Sequence, residues 1–215
     1  MSHKIVPTSF RLGVNKNWKG SWYANKKDFP ALVKSDIEIK KYVAKTLNPA
    51  GLGSISIERY PNRVEVIVFV AKPGVAIGRG GAGIDLIQKD IKKIVKLPVE
   101  LKIKEVKKPD LSARVIARSI ADGIERRQPS KLLIASAKEK AMLSGAKGIK
   151  IMVSGRINNN PQARSQKDAA GPVPTQTLKA NIDYAEETAA TNDSGLFGVK
   201  VWVYKKDDTL DEMSN

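Results

Sequence analysis

Glycine and arginine combine in one short segment, Gly78-Arg79-Gly80-Gly81, whose residue types suit binding to a phosphate backbone. Glycines leave backbone N–H groups uncovered, so a chain of phosphates can lie directly on the turn. Arg79 adds a cation, and the helix expected after the glycines adds partial positive charge at its N-terminus. We therefore predict that Gly78, Arg79, Gly80 and Gly81 bind RNA, together with Lys72 shortly before them.

Two known loop types fit this segment. KH domains clamp about four nucleotides with a G-x-x-G turn. The wider spacing Gly78-x-Gly80-x-x-Gly83 also fits a dinucleotide-binding loop, with Glu100 or Glu105 as the acidic residue further along. An apparent hairpin before the loop and the absence of repeated βαβ patterning favour the KH interpretation. The dinucleotide site and a plain structural turn remain as alternatives.

The charge balance indicates a polyanionic partner. The 215 residues include 38 Lys and Arg against 22 Asp and Glu, a formal net charge of +16. Nucleic acid is the first candidate for such a charge, and an anionic membrane surface is the second.

Several kinds of chemistry lack the residues that they need. The chain has no cysteine, and its single histidine is His3, near the N-terminus. We therefore predict no catalytic residue, no metal site and no cofactor. No apolar run approaches the roughly 20 residues that cross a bilayer, and the first residues lack a signal-peptide core. The expectation is a cytoplasmic protein with no membrane and no small-molecule substrate.

Periodicity predicts the elements that position the glycine loop. A Ser35-x-x-Glu38 capping box should begin a helix that ends before Pro49 and Gly51. Two strands with period-two apolar residues follow, at 54–58 and 64–70. After the glycines, Ile84, Ile87 and Ile91 mark an amphipathic helix, and a strand at 99–104 completes the unit.

The later chain has a different pattern. We predict two helices, the second from about 130 to 144, followed by strands at 149–153, 178–184 and 199–203. The polar stretch 158–171 is predicted to be a loop. The fold class is therefore α+β. We predict two domains, at 31–107 and 108–206. They follow an RNA-contacting arm at 1–30 and precede an acidic disordered tail at 207–215. In the arm, Trp18, Trp22 and Tyr23 could stack on bases or pin the arm to a domain.

An ordered set of segments extends over nearly the whole chain. The segments are Lys4-x-x-Pro7 with Arg11-Leu12-Gly13, Trp22-Tyr23-Ala24, Lys72-Pro73-Gly74-Val75, Ile77-Gly78-Arg79-Gly80-Gly81, Glu125-Arg126-Arg127, Gly145-Ala146-Lys147-Gly148-Ile149-Lys150, Val153-Ser154-Gly155-Arg156, Ala163-Arg164-Ser165, Val173-Pro174, Thr177-Leu178, Ile182-Asp183-Tyr184 and Gly198-Val199-Lys200-Val201-Trp202-Val203-Tyr204. As a set they resemble the bacterial family of small-subunit ribosomal protein three, the universal KH-domain protein of the subunit head.

The resemblance implies a type II KH domain followed by the family's C-terminal domain of two helices on an antiparallel sheet. It implies a structural role in the small subunit, binding to small-subunit rRNA in the head, contact with neighbouring ribosomal proteins, and a place beside the channel where mRNA enters. The further residues predicted to contact rRNA are Lys4, Arg11, Arg126, Arg127, Arg156 and Arg164, and those predicted to contact mRNA are Lys131 and Lys138.

One departure concerns the mRNA channel. The family clusters cations early in the second helix of its C-terminal domain, where this chain has Leu132, Ala135 and Ser136 and retains only Lys131. Lys138 and Lys140 could partly substitute for them. Asp168, Ala169, Ala170 and Pro172 also replace the aromatic and arginine residues expected nearby. We hypothesise that mRNA unwinding is weakened or redistributed.

The sequence therefore favours a ribosomal RNA-binding protein that is not an enzyme. A free KH regulator of single-stranded mRNA is the first alternative, although such a protein would not need the second domain. A dinucleotide-dependent enzyme is the remote alternative.

Overall fold

The structure, a computed structural model, describes residues 5–95 and 97–206, with only the backbone of Arg79. The α-helices of these residues are Pro7–Phe10 (α1), Phe29–Leu47 (α2), Pro73–Ile77 (α3), Ala82–Val95 (α4), Ala113–Glu125 (α5) and Ser130–Leu143 (α6). Their strands are Gly20–Ser21 (β1), Leu52–Arg59 (β2), Val64–Val70 (β3), Val99–Glu105 (β4), Gly148–Gly155 (β5), Arg164–Ala170 (β6), Ile182–Thr191 (β7) and Gly195–Tyr204 (β8). Lys4 and the predicted tail 207–215 lie outside the described residues.

The chain divides into two compact units. Trp18–Lys107 forms the first, and residues 5–17 join 108–206 in the second. The division between the two units falls after residue 107. The predicted arm 1–30 is split, because its first part packs with the second unit and the remainder with the first.

In the first unit, two helices cover one face of a four-stranded sheet. The strand order is β1-β2-β3-β4, with β2 and β3 antiparallel and β3 and β4 parallel. Because parallel strands need a crossover, α3, the glycine loop and α4 connect β3 to β4. The core is formed by apolar residues of the sheet and of α2 and α4, among them Val64, Val66, Val68, Val70, Ile39, Val43, Ile87 and Ile91.

The predicted start of α2 is wrong. The helix begins at Phe29 and includes Ser35, whose hydroxyl donates to the carbonyl oxygen of Leu32 at 2.8 Å instead of capping an end. Pro30 is the reason that the helix can begin earlier, since proline is tolerated in the first turn, where no intrahelical N–H bond is needed.

In the second unit, α5 and α6 pack on an antiparallel sheet of order β6-β5-β8-β7. This confirms the predicted α+β class.

Two predictions of detail are wrong. Residues 164–170 form strand β6, within the stretch predicted to be a loop, because seven residues pair with β5 although the segment is polar. Strand β7 begins at Ile182 and not at 178, because the chain up to Asn181 closes over α1 before it joins the sheet.

Candidate nucleic-acid interface

The glycine loop joins the C-terminus of α3 to the N-terminus of α4. Gly78, Gly80 and Gly81 all have positive φ, at 71°, 63° and 85°. A Cβ atom on Gly80 or Gly81 would meet no atom within 4 Å, so the requirement for glycine there is conformational and the turn is open to an approaching backbone. A dinucleotide loop follows a strand directly, whereas this loop follows a helix, and the dinucleotide alternative is therefore set aside.

Gly83 fixes the geometry of the loop. A Cβ atom there would lie 2.9 Å from the carbonyl oxygens of both Ala76 and Ile77. The end of α3 therefore abuts the first turn of α4, and the glycine loop bridges this close approach. In the sequence Gly83 stands out only as part of the dinucleotide pattern, and its packing role depends on the contact between α3 and α4.

Exposed apolar side chains flank the same loop. Val75 is 58% exposed, Leu86 is 62% exposed, and Ile77 is also solvent-accessible. Lys72 is exposed at the N-cap of α3. Apolar surface beside a backbone-binding turn gives unstacked bases something to contact. The sequence did not identify these apolar residues as part of the site, because their spacing does not distinguish them from core residues. Only the packing shows which of the apolar positions are exposed.

Four predicted arginines gather at one end of the second unit, which we call the arginine end. Arg126 and Arg127 lie in the turn between α5 and α6, and Arg156 lies in the connection from β5 to β6. Arg164 is paired with Gly155 across the β5–β6 ladder. The β7–β8 hairpin lies at this end too, since Asp193 forms a 3.0 Å ion pair with Arg127.

The two lysines predicted at the mRNA channel differ in their surroundings. Lys131 is exposed and has no ionic partner among residues 5–95 and 97–206. The Lys138 ammonium lies 2.6 Å from Asp168, on the neighbouring strand β6. The hydrogen bond from Lys138 lowers the pKa of the Asp168 carboxyl, which remains charged and neutralises the lysine.

Arg11 does not lie on a surface, and its predicted RNA contact is corrected to a structural role. Its side chain is fully buried, and its guanidinium donates to the carbonyl oxygens of Ala180 at 2.7 Å, Thr177 at 2.8 Å and Pro7 at 3.0 Å. Burial lowers the pKa of this guanidinium. Arg11 thus ties α1 to the segment before β7, and it is unavailable to a phosphate. Lys4 lies outside the described residues.

The aromatic residues of the N-terminal region separate into two groups. The Trp22 indole N–H donates to Asp36 at 2.9 Å, and Arg59 forms an ion pair with the same carboxylate. Trp22 is therefore a packing residue of the first unit. Trp18 and Tyr23 are 73% and 91% exposed and remain available for stacking.

Asp183 is a half-buried carboxylate that links three segments of the second unit. It accepts from the backbone N–H of Ala113 at 3.1 Å, at the start of α5, and lies 3.2 Å from the ammonium of Lys205. Burial by itself raises the pKa of Asp183. The nearby charges of Lys205 and Lys16 and the hydrogen bond from Ala113 lower it by more, so the pKa lies below its usual value. The resemblance placed Asp183 in a matching segment without a role.

Within the described ranges, no cluster of three or more acidic or histidine side chains is arranged to hold a metal ion. No helix of these ranges is both long and apolar enough to cross a bilayer.

Comparison with known proteins agrees with this geometry. Residues 38–111 match the family described as KH domain, and residues 120–203 match the C-terminal domain of ribosomal protein S3. Small ribosomal subunit protein uS3 of Chromobacterium violaceum is 43% identical over 205 residues, which cover 95% of this chain and 88% of the relative. The uS3 protein of Nitrosomonas eutropha is 42% identical, and the alignment covers 95% of both chains. That of Paraburkholderia phymatum is 42% identical over 96% of this chain and 78% of its own length.

These matches confirm the predicted resemblance and the prediction that the chain is not an enzyme. The KH match includes the glycine loop, and the second match includes the α5–α6 turn and the β5–β6 connection. The two family matches and relatives that are 42–43% identical over 95% of the chain establish that the chain belongs to the uS3 family of small ribosomal subunit proteins.

Proposed function

We propose that the chain binds small-subunit rRNA in the head of the subunit and lines the channel where mRNA enters. The observation that carries this proposal is the arginine end, where residues from three separate connections of the second unit are brought together. Arg126 and Arg164 are exposed, and neither has an ionic or side-chain hydrogen-bond partner in the described part of the chain. Exposed arginines without carboxylate partners suit phosphate contacts.

Each unit supplies one RNA-binding surface in this proposal. In the first unit, the glycine loop with Lys72 clamps an RNA backbone, and the exposed Val75 and Leu86 contact bases. In the second unit, the arginine end and Lys131 neutralise phosphates. The charge of +16 supports an interaction that is electrostatic over much of the protein surface. Neighbouring ribosomal proteins are further partners that family membership implies.

The mRNA contact is proposed to be weak. Lys131 is the one early α6 cation, Lys138 is paired with Asp168, and Leu132 is 66% exposed at a position where the family has a cation. We propose that mRNA binding depends more on the arginine end than on α6.

The test uses tagged chains in growing cells, with sedimentation and RNA cross-linking as the measurements. The native chain should sediment with the small subunit at about one copy each. Arg79→Asp with Gly80→Asp should lower its incorporation into subunits. Arg126→Gln with Arg164→Gln should lower cross-linking both to rRNA and to mRNA, because two phosphate contacts are removed. Lys179→Gln, an exposed lysine in the segment before β7, is the control for loss of charge in the same unit.

Native chain that remains at the top of the gradient would overturn the ribosomal role. Unchanged mRNA cross-linking in the arginine variant would overturn the role of the arginine end alone.

A further inference from the structure

A cavity of about 290 Å³ opens at the arginine end of the second unit. The α5–α6 turn, the β5–β6 connection and the β7–β8 hairpin surround it. Its floor is apolar, formed by Ile124, Ile157 and Phe197, of which Ile124 and Phe197 are buried. The volume lies near the lower limit for ligand pockets, which suits a single planar group.

The backbone around this cavity is unusual. Arg127, Asn158 and Asn159 have φ of 61°, 56° and 57°, and they are the only non-glycine residues with positive φ in residues 5–95 and 97–206. All three line the cavity. Left-handed non-glycine residues are uncommon and costly, and they cluster at ligand-binding sites. Here they turn the chain so that its side chains surround one opening.

Most polar groups of the wall are already engaged. Ser130 donates to Gln166, Thr191 to the carbonyl oxygen of Gly195, and Ser194 to Asn159. The side-chain amides of Gln128 and Asn158, by contrast, have no hydrogen-bond partner within the described ranges. Each amide offers a donor and an acceptor in one plane, which is the pattern that the edge of a nucleobase requires.

We propose that this cavity binds one unstacked nucleobase of single-stranded RNA. Gln128 and Asn158 hydrogen-bond to the edge of the base, and Ile157 and Phe197 contact its ring. Arg126, Arg156 and Arg164 hold the phosphates on either side. This inference rests on the proposed RNA binding of the arginine end and adds a base-reading site to it.

The test uses the full chain with Arg79→Asp and Gly80→Asp, which removes the contribution of the glycine loop. The probes are four homopolymeric RNA hexamers and a fully abasic hexamer with the same phosphates. Gln128→Ala with Asn158→Gly removes both amides, and glycine retains the positive φ at residue 158. Gln176→Ala with Asn160→Ala is the matched control, since neither residue lines the cavity.

At least one homopolymeric hexamer should bind about tenfold more tightly than the abasic hexamer, since a base–protein contact is worth one to two orders of magnitude in affinity. The amide variant should lose about the same factor with an unchanged salt slope, because no phosphate contact is removed. The control should bind like its parent.

Equal binding of intact and abasic hexamers, or an amide variant that binds like its parent, would overturn the base-binding site. Arg126→Gln with Arg164→Gln separates this failure from that of the proposed function. If these changes weaken binding and flatten the salt slope while the amide changes do nothing, RNA binding at the arginine end stands and the nucleobase site fails. If neither pair has an effect, both fail.

Discussion

The Lys138 ammonium lies 2.6 Å from a carboxylate oxygen of Asp168, so that strand β6 neutralises a cation of α6. Lys138 was a candidate to replace the missing cations of the mRNA channel. Its pairing means that this helix presents less free positive charge than its sequence suggests.

Asp168→Asn should release Lys138 for a phosphate contact. We expect the log–log salt slope for single-stranded RNA binding to steepen by about 0.7, the increment for one added contact, in fluorescence titrations of the full chain. Glu139→Gln on the exposed side of α6 removes the same charge without releasing a lysine and should leave the slope unchanged. Equal slopes for the native chain and Asp168→Asn would show that Lys138 does not reach RNA.

Restoring the family's cations should strengthen unwinding. Leu132→Arg, Ala135→Arg and Ser136→Arg lie at exposed positions, so the fold should accept them. Small subunits reconstituted with this triple variant should unwind an mRNA hairpin faster than native ones, as measured by progress through a structured message. Glutamine at the same three positions is the neutral control. A triple-arginine subunit that performs no better than the native one would refute the hypothesis of weakened unwinding.

Gly83→Ala should destabilise the first unit. The added Cβ atom would lie 2.9 Å from two backbone carbonyl oxygens, and overpacking of this kind costs about 1–3 kcal/mol of unfolding free energy. Urea denaturation measures the loss, and RNA affinity should fall with it because α3 and α4 must separate. Gly74→Ala on α3 is the matched control, since its Cβ atom would meet nothing within 4 Å. Similar stabilities for the two variants would contradict the role assigned to Gly83.

Arg11→Met should loosen α1 from the second unit. The change removes the guanidinium that donates to the carbonyl oxygens of Thr175, Thr177 and Ala180, and we expect a loss of about 2 kcal/mol in unfolding free energy. Arg126→Met, at an exposed arginine, should change it by less than about 0.5 kcal/mol. Denaturation and limited proteolysis within the first 17 residues report the difference. An Arg11 variant as stable as the control would return this residue to the RNA-binding candidates.

Asp183→Asn should produce a pH-dependent loss of stability. Because the pKa of Asp183 is lowered in the folded state, the carboxylate stabilises the fold above its unfolded pKa of about 3.9, and this contribution is lost as the pH falls through the lower folded value. The free energy of unfolding of the native chain should exceed that of the variant by about 1–2 kcal/mol at pH 7, and this difference should narrow below about pH 4. Asp193→Asn, in an exposed ion pair, should show little effect. A gap that is constant from pH 7 to pH 3 would contradict this role.

Local patterns sufficed to predict much of the fold. The alternating valines of β3, the isoleucines of α4 and the glycine loop between them identified the first unit, because burial on one face imposes a period that can be read over a few residues. The basic charge and the loop glycines predicted RNA binding, and both can be recognised without knowledge of the tertiary structure. These properties belong to short segments or to total composition, and the sequence by itself determined them.

Tertiary structure decided what depends on distant partners. The polar segment of β6 is a strand because β5 supplies a ladder, and Arg11 is a core residue because carbonyl oxygens more than 160 positions away converge on it. Lys138 loses its free charge to an aspartate 30 positions away. Nothing in the neighbouring sequence distinguishes these residues from an exposed loop or exposed cations, because a hydrogen bond or ion pair acts over a few ångströms and only folding brings its two ends together.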